Sequence, residues 1–583
     1  MKKIINKTED IVRDMLEGLA VTTPQIELIP KYKIVKRAQI DSDKVCLISG
    51  GGSGHEPTHA GFVGKGMLDA AVCGDIFASP SQIQVYQAIR AVAGEKGVLL
   101  IIKNYSGDVM NFKNAARMAQ EDGIFVDYVR VEDDIAVEDS LYTVGRRGVA
   151  GTVFVHKIAG AAAEQGKSLE EVKRIAEKTA ANVGSLGFAL TSCTVPANGV
   201  PTFSLDNDEM EFGVGIHGEP GIHREKIVSA DVLAERITDT IAKELQIEGS
   251  GTRVAVMING FGASPMMELY ILGNYVTGAL FAKNVMIARE FVGNYMTSID
   301  MVGASVSILK LDDELEALLN EPADTEGMKV VGKLPDLKPI VFDYGISASS
   351  EKDPDIRIPA EWAKIGKAIS YQNIVFIVDA LSNCIIRNEQ AFCELDSHAG
   401  DGDFGMSVSK GFRRLKHEWN AIVKDAPDDI GRFLGASSLV IMEHCGGASG
   451  PIWGSAFRAA GKAAEGKNEL TIPEFAAMMQ AAIKEIQATG KRSFGRGAVI
   501  GDKTLIDALI PTADVWSAAG PEEEIISVFA KGAQAAVDGA EMTRNIVARM
   551  GRAGAVGERS LGYPDAGAYA LGVIFMEIAE MLQ

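Results

Sequence analysis

The chain has 583 residues, 47% of them hydrophobic, which is enough apolar surface for more than one globular core. A formal net charge of −20 excludes a basic face built to displace counterions from nucleic acid. Six scattered cysteines form no C-x-x-C pair, which excludes a zinc ribbon and fits a reducing compartment.

Residues 1–17 mix Lys with Asp and Glu and lack the apolar stretch of a secretory signal. No run of roughly 18 apolar residues follows, so a cytoplasmic chain without a spanning helix is expected. From there to about residue 330, short β-branched runs alternate with helix-like segments, the pattern of parallel sheets covered by helices. Strands are predicted at 44–49, 97–103, 151–156 and 253–258. The first, second and fourth run into Gly-, Asn- or Asp-rich loops, where open α/β sheets seat ligands.

The first loop reads Gly50-Gly51-Gly52-Ser53-Gly54-His55-Glu56-Pro57-Thr58-His59. Its glycines let backbone N–H groups approach a polar ligand. Neither a P-loop nor G-x-G-x-x-G fits. His55 to His59 matches H-E-x-x-H, but Pro57 suits the first turn of a helix, which leaves His55 in the loop before it and misaligns a zinc pair. A plain turn is the alternative to a small-molecule site. The second loop, Lys103-Asn104-Tyr105-Ser106-Gly107-Asp108, brings a cation and a carboxylate to one strand end. Asp108 suits a proton acceptor for a substrate hydroxyl, or equally a helix cap. Further on, Gly215-Ile216-His217-Gly218-Glu219-Pro220-Gly221 holds a histidine in a tight loop; a neutral imidazole adds to activated carbonyls, and a solvated or hydrogen-bonded loop histidine is the alternative.

At 333–362 periodicity gives way to Pro, Ser, Lys and Asp, a linker composition. Beyond it, 374–388, 472–489, 522–537 and 570–582 carry helical spacing of Ala, Ile, Leu and Met, so the second domain is expected to be all-α. There, Asp396-Ser397-His398-Ala399-Gly400-Asp401-Gly402-Asp403 gathers three carboxylates that repel unless a hard cation joins them, which suits Mg²⁺; a solvated acidic turn capped by Asp396 is the duller alternative. The glycine-rich stretches 446–451, 501–507 and 551–567 would open helices whose free N–H groups seat phosphate, and Arg552 adds a fixed charge.

Taken together these motifs resemble the single-chain, ATP-dependent dihydroxyacetone kinases over essentially the whole length. The resemblance implies an α/β, ketose-binding K domain at 1–330, a linker at 331–362, and an all-α, eight-helix barrel-like L domain at 363–583. It implies covalent capture of the substrate carbonyl on His217 as a hemiaminal, with Gly52, Ser53, Gly54, His55 and Lys103 binding the ketose. Asp108 and His55 would handle the proton of the attacking hydroxyl. Asp396, Asp401 and Asp403 would hold Mg²⁺, two ions, on ATP. Phe404, Gly405, Met406, Ser407, Ala448, Ser449, Gly497, Leu505, Arg552, Asp565, Ala566 and Gly567 would line the nucleotide. A homodimer is implied, in which the L domain of one chain can serve the K site of another. The family's usual Asp-Pro-Gly-Ala stands here as Asp565-Ala566-Gly567-Ala568, with proline at Pro564 instead. Alternatives are a kinase for erythrulose or glyceraldehyde, an FAD-cyclising side activity, a phosphotransferase-coupled form that keeps ADP bound, and a non-catalytic sensor of carbonyl compounds.

Overall fold

The structure is a computed structural model that describes residues 2–138, 145–219, 221–247, 249, 251–340, 356 and 358–582, without the side chains of Arg552 and Ala555. The chain divides into two compact units, Met1–Asp343 and Tyr344–Gln583. Most of the central stretch of the expected linker, 341–355 and 357, lies outside the described residues.

The first unit begins with α1 (Ile11–Thr22) and builds one sheet from β1 (Ile26–Ile29), β2 (Ile34–Arg37), β3 (Cys46–Ser53), β4 (Ala70–Ile76), β5 (Val98–Lys103) and β6 (Val126–Val131). The order is β1-β2-β4-β3-β5-β6, and the four strands from β3 to β6 run parallel. Every residue of β3 and β5 is buried, which is why neither shows the polar alternation of a half-exposed strand. The helix α2 (Gln82–Val92), opened by a Ser81/Gln84 capping box, links β4 to β5, and α3 (Ser106–Glu121) follows β5 directly.

Residues 151–156, expected as a strand, instead open the helix α4 (Thr152–Glu164). Thr152 through Ala163 are all buried, so no polar face marks a 3.6-residue period, and the β-branched Thr152, Val153 and Val155 imitate a buried strand. Nor does a helix start at Pro57: residues 55–59 are turns, followed by a 3₁₀ turn at Ala60–Phe62. After α5 (Leu169–Ala181), a second sheet forms from β7 (Val183–Ala189), β8 (Glu209–Phe212), β9 (His223–Lys226), β10 (Arg253–Gly260), β11 (Met286–Gly293) and β12 (Gly303–Leu311). Its order is β11-β10-β12-β7-β8-β9, and only β10 and β11 are parallel. The expected parallel pattern therefore holds for β3 to β6, whereas β1 and β2 join the first sheet antiparallel and the second sheet is mostly antiparallel. Three helices, α6 (Ala230–Glu244), α7 (Met266–Ala282) and α8 (Asp313–Asn320), complete this unit.

The second unit is helical: α9 (Tyr371–Arg387), α10 (Glu389–Asp396), α11 (Phe404–Asp425), α12 (Ile430–His444), α13 (Ser449–Ala463), α14 (Ile472–Phe494), α15 (Ile506–Ala518), α16 (Ile525–Met542) and α17 (Ala566–Met581). From α11 to α17 each helix packs on the next, α17 closes on α9, and α9 packs on α11. That makes a closed ring of eight, with the short α10 set against α11 and α17. Side chains such as Ile377, Leu381, Phe457, Phe475 and Phe575 line an apolar cavity of about 170 Å³ within it. No helix among the described residues is long and apolar enough to cross a membrane.

Candidate functional site

In the first unit the three predicted loops meet. His55, fully buried after β3, places Nδ1 2.8 Å from the Thr297 carbonyl and Nε2 3.2 Å from His217 Nε2. A carbonyl only accepts, so His55 Nδ1 carries the proton. Burial, then the Lys103 charge and His217, hold His55 well below the usual histidine range, so the ring is neutral with a lone pair at Nε2. Phe77 stacks on His55 at 5.0 Å, and Tyr105 meets the His217 ring edge-on at 4.5 Å.

Lys103 ends β5 and Asp108 sits in the first turn of α3, both buried. Asp108 is not the helix cap that sequence allowed, since Tyr105 occupies that position. Burial raises the Asp108 carboxyl while Lys103 opposes the rise, and burial lowers Lys103 while Asp108 opposes the fall. A Cβ on Gly51 would stand 3.2 Å from Lys103 Cε and 3.3 Å from an Asp108 carboxylate oxygen, so both side chains converge on bare backbone. Gly54 adopts φ +102°, a conformation that glycine alone takes without strain. Ser53 Oγ donates to the Gly74 carbonyl at 2.8 Å, which pins β3 to β4. His59 turns away: its Nδ1 lies 3.2 Å from Ser49 Oγ, and its neighbour on the other side is His156. The H-E-x-x-H match is thus no zinc pair. Phe77 and Thr297, which contact His55, and Arg147, which contacts Glu219, lie in segments where nothing local distinguishes them from core or turn residues.

In the second unit the three aspartates come together, with one carboxylate oxygen of each lying within 4.8 Å of the others. Asp396 ends α10 and Asp403 precedes α11. Asp396 accepts from the N–H groups of Gly402 (3.0 Å) and Phe404 (3.4 Å), yet burial and the charges of Asp401 and Asp403 push its carboxyl up. Three hard oxygens at this spacing fit a divalent cation of the Mg²⁺ type.

These carboxylates border a cavity of about 220 Å³ lined also by Phe404, Ser407, Ala448, Ser449, Leu505, Asp565, Ala566 and Gly567. Each of those residues belongs to the start of a helix: α11, α13, α15 or α17. Four helix N-termini therefore face one cavity, each presenting a positive dipole end, an environment that favours a polyphosphate. Gly405, Met406 and Gly497 do not line it, and the Arg552 side chain lies outside the described residues. Ile452 and Trp453 on α13 and Met550 in the segment before residue 551 also line it, and as apolar residues they look like core in the sequence.

Asp565 caps α17 by accepting from Ala568 N–H at 2.8 Å, and burial raises its carboxyl to about 7. The shifted proline therefore leaves this cap intact. Lys503 does not reach toward phosphate. Its Nζ donates to the carbonyls of Thr543 (2.8 Å), Ile546 (3.3 Å), Tyr563 (2.7 Å) and Ser560, tying the segment before α17 to the start of α15. Replacing Lys503 with Met strands those buried acceptors. A loss of about 2–3 kcal/mol in chemical unfolding of this unit is expected, together with weaker nucleotide binding by titration.

The Dak1 domain model matches residues 17–327 and the DAK2 domain model residues 398–580. The chain belongs to the dihydroxyacetone kinase family. Among relatives of this kinase family, the triokinase/FMN cyclase of Rattus norvegicus is 35% identical over 593 residues, covering 100% of this chain and 99% of its own. The L-erythrulose 1-kinase of Mycolicibacterium smegmatis is 33% identical over 601 residues, covering 100% of both. A crystal structure of the dihydroxyacetone kinase from C. freundii, in complex with AMP-PNP and Mg²⁺, superposes with a TM-score of 0.58 at 31% identity, covering 99% of each chain. The kinase family, with its α/β unit followed by a helical one, a fit for ATP and a fit for Mg²⁺, accords with the expectations drawn from the motifs.

Proposed function

We propose that this kinase transfers the γ-phosphoryl group of ATP to dihydroxyacetone, which it first captures through its carbonyl carbon as a hemiaminal on His217. The observation that carries this is the pairing of His217 Nε2 with a neutral His55 at 3.2 Å, beside a buried cation and a buried carboxylate. That set handles a carbonyl and a hydroxyl in one molecule, and glycerol offers no carbonyl to capture. In this reading Gly52, Ser53, Gly54 and Lys103 hold the ketose, and Asp108 with His55 takes the proton of the attacking hydroxyl. Asp396, Asp401 and Asp403 hold two Mg²⁺ ions, which neutralise the phosphate oxygens when bound. The helix starts at Phe404 to Ser407, Ala448, Ser449, Leu505 and Asp565 to Gly567 seat the nucleotide, with Gly497 and Arg552 beside it.

We place the K domain at 1–330, the linker at 331–362 and the L domain at 363–583. The exposed Met267, Tyr270, Ile271 and Tyr275 on α7 favour a homodimer, and six unpaired cysteines favour the cytoplasm. The test measures ADP release with Mg-ATP and dihydroxyacetone, erythrulose, glyceraldehyde or glycerol, for the native chain and His217→Ala. Turnover of a ketose that vanishes in the variant, with none on glycerol, is expected. Preference for erythrulose or glyceraldehyde would reassign the substrate, and no turnover with any carbonyl sugar would overturn the proposal.

A further inference from the structure

Three buried charges behind His217 have no role in the chemistry above. The Arg147 side chain is 1% exposed, with Asp134 and Glu219 nearly as deep. Arg147 Nε donates to Asp134 at 2.7 Å, one terminal nitrogen donates to the Gly213 carbonyl at 2.8 Å, and the other lies 3.5 Å from Glu219 Oε1. Glu219 Oε2 accepts from the His217 backbone N–H at 2.8 Å, while Oε1 stands 3.9 Å from His217 Nδ1. Gly215 leaves the room: a Cβ there would come within 2.1 Å of Glu219 Oε1 and 2.5 Å of Arg147. Burial pushes the Glu219 carboxyl up, but its hydrogen bond and charge interaction with His217, and then Arg147, outweigh this and hold it at about 2. A row of buried ions is expensive to assemble and is a weak source of stability, so its placement calls for another use.

The protons on His217 follow from its neighbours. His55 offers only a lone pair at Nε2, so His217 Nε2 donates across the 3.2 Å contact. Glu219 is a carboxylate and only accepts, so a proton is also favoured on Nδ1. We propose that Glu219, anchored by Arg147 and through it by Asp134, is the positioning residue for His217, holding a proton on Nδ1 and supplying the counter-charge to a cationic ring during ketone capture. This rests on the reading of His217 as the carbonyl-capturing nucleophile.

The step balances. His217 Nε2 passes its proton to His55 Nε2 and forms a bond to the carbonyl carbon. The carbonyl π pair moves to oxygen, which takes the same proton from His55. Because Nδ1 keeps its proton, the His217 ring is cationic before and after capture, and Glu219 faces it in both states. With a neutral residue in place of Glu219, the ring that keeps its Nδ1 proton loses its counter-charge, so both the doubly protonated ring and the cationic adduct are disfavoured.

The experiment uses the full chain with dihydroxyacetone ¹³C-labelled at its carbonyl, whose NMR signal separates trigonal ketone from tetrahedral adduct. Glu219→Gln keeps the shape and an acceptor oxygen but loses the charge. Its KM for the ketose is expected to rise on the order of 10- to 100-fold, the range seen for partners that orient a working histidine, with Mg-ATP binding unchanged. Adduct occupancy should fall with it. An adduct in the native chain that is equally occupied in Glu219→Gln overturns this inference alone. No adduct in the native chain overturns the covalent reading and this inference with it. If Glu219→Gln does not fold, the ring ¹⁵N signals of His217 in the native chain decide: a protonated Nδ1 supports the assignment and an unprotonated one defeats it.

Discussion

Replacing Asp108 with Asn is expected to lower kcat by about 100- to 10,000-fold, the range associated with a positioned general base. Capture of the ketose should survive. The substitution keeps the volume of the side chain and removes only its capacity to take a proton. Asp108 Oδ1 has no hydrogen-bond partner among the described residues, so one oxygen is available to a substrate hydroxyl. The start of α3 and the Lys103 ammonium both favour the charged form, against the burial that disfavours it. Burial wins, so the Asp108 carboxyl sits above its ordinary value of 3.8. A base must be deprotonated to act, and the acid limb of kcat against pH therefore lies higher than an ordinary aspartate would place it. Removing the opposing cation, as in Lys103→Met, should move that limb higher still. A Lys103→Met limb that moves down, or an Asp108→Asn enzyme with native kcat, would remove Asp108 from the chemistry.

Asp403→Asn is expected to cost on the order of 1,000-fold in kcat/KM, the equivalent of about 4 kcal/mol of lost charge stabilisation. The cause is separable from the ketose site. Asp396, Asp401 and Asp403 crowd their oxygens within 4.8 Å, so each is held against repulsion that only a bound cation relieves. Asn keeps an oxygen in place but removes a charge, which weakens Mg²⁺ and raises the concentration required for half-maximal rate. The Mg²⁺ titration of the rate reads this directly, and the ketose adduct read by ¹³C NMR should be unchanged. A native Mg²⁺ dependence in Asp403→Asn would mean that the carboxylate loop is a solvated turn.

Much of this was legible before any coordinates because the chemistry lies in short, local motifs. Gly51, Gly52 and Gly54 mark a stretch of bare backbone at and just beyond the end of β3, and Asp396, Asp401 and Asp403 share one turn of chain, so their repulsion is visible in the residue string. The helices of the second unit were legible for a related reason, since α14 and α16 each bury one face and keep a 3.6-residue period. Where burial is complete the signal disappears. The helix α4 shows no polar face, and its β-branched start looks like a strand.

The sequence by itself determined which residue types stand at the ends of β3 and β5, the predominantly helical character of the second unit, though not its short antiparallel pair Ile369–Ser370 and Glu469–Leu470, and a set of candidate groups for a carbonyl and a metal. Tertiary structure alone decided the pairings, because those contacts join residues far apart in the chain. His55 meets His217 across 162 positions and Thr297 across 242, and no local spacing encodes either distance. The same holds for Lys503, one residue of a glycine-led stretch in the sequence, whose ammonium the fold surrounds with four carbonyls. Glu219 reads as one acid in a glycine-rich loop, and only the fold sets Arg147 behind it and His217 in front. A proton's position depends on the donors, acceptors and charges around it, and that neighbourhood exists only once the chain has folded.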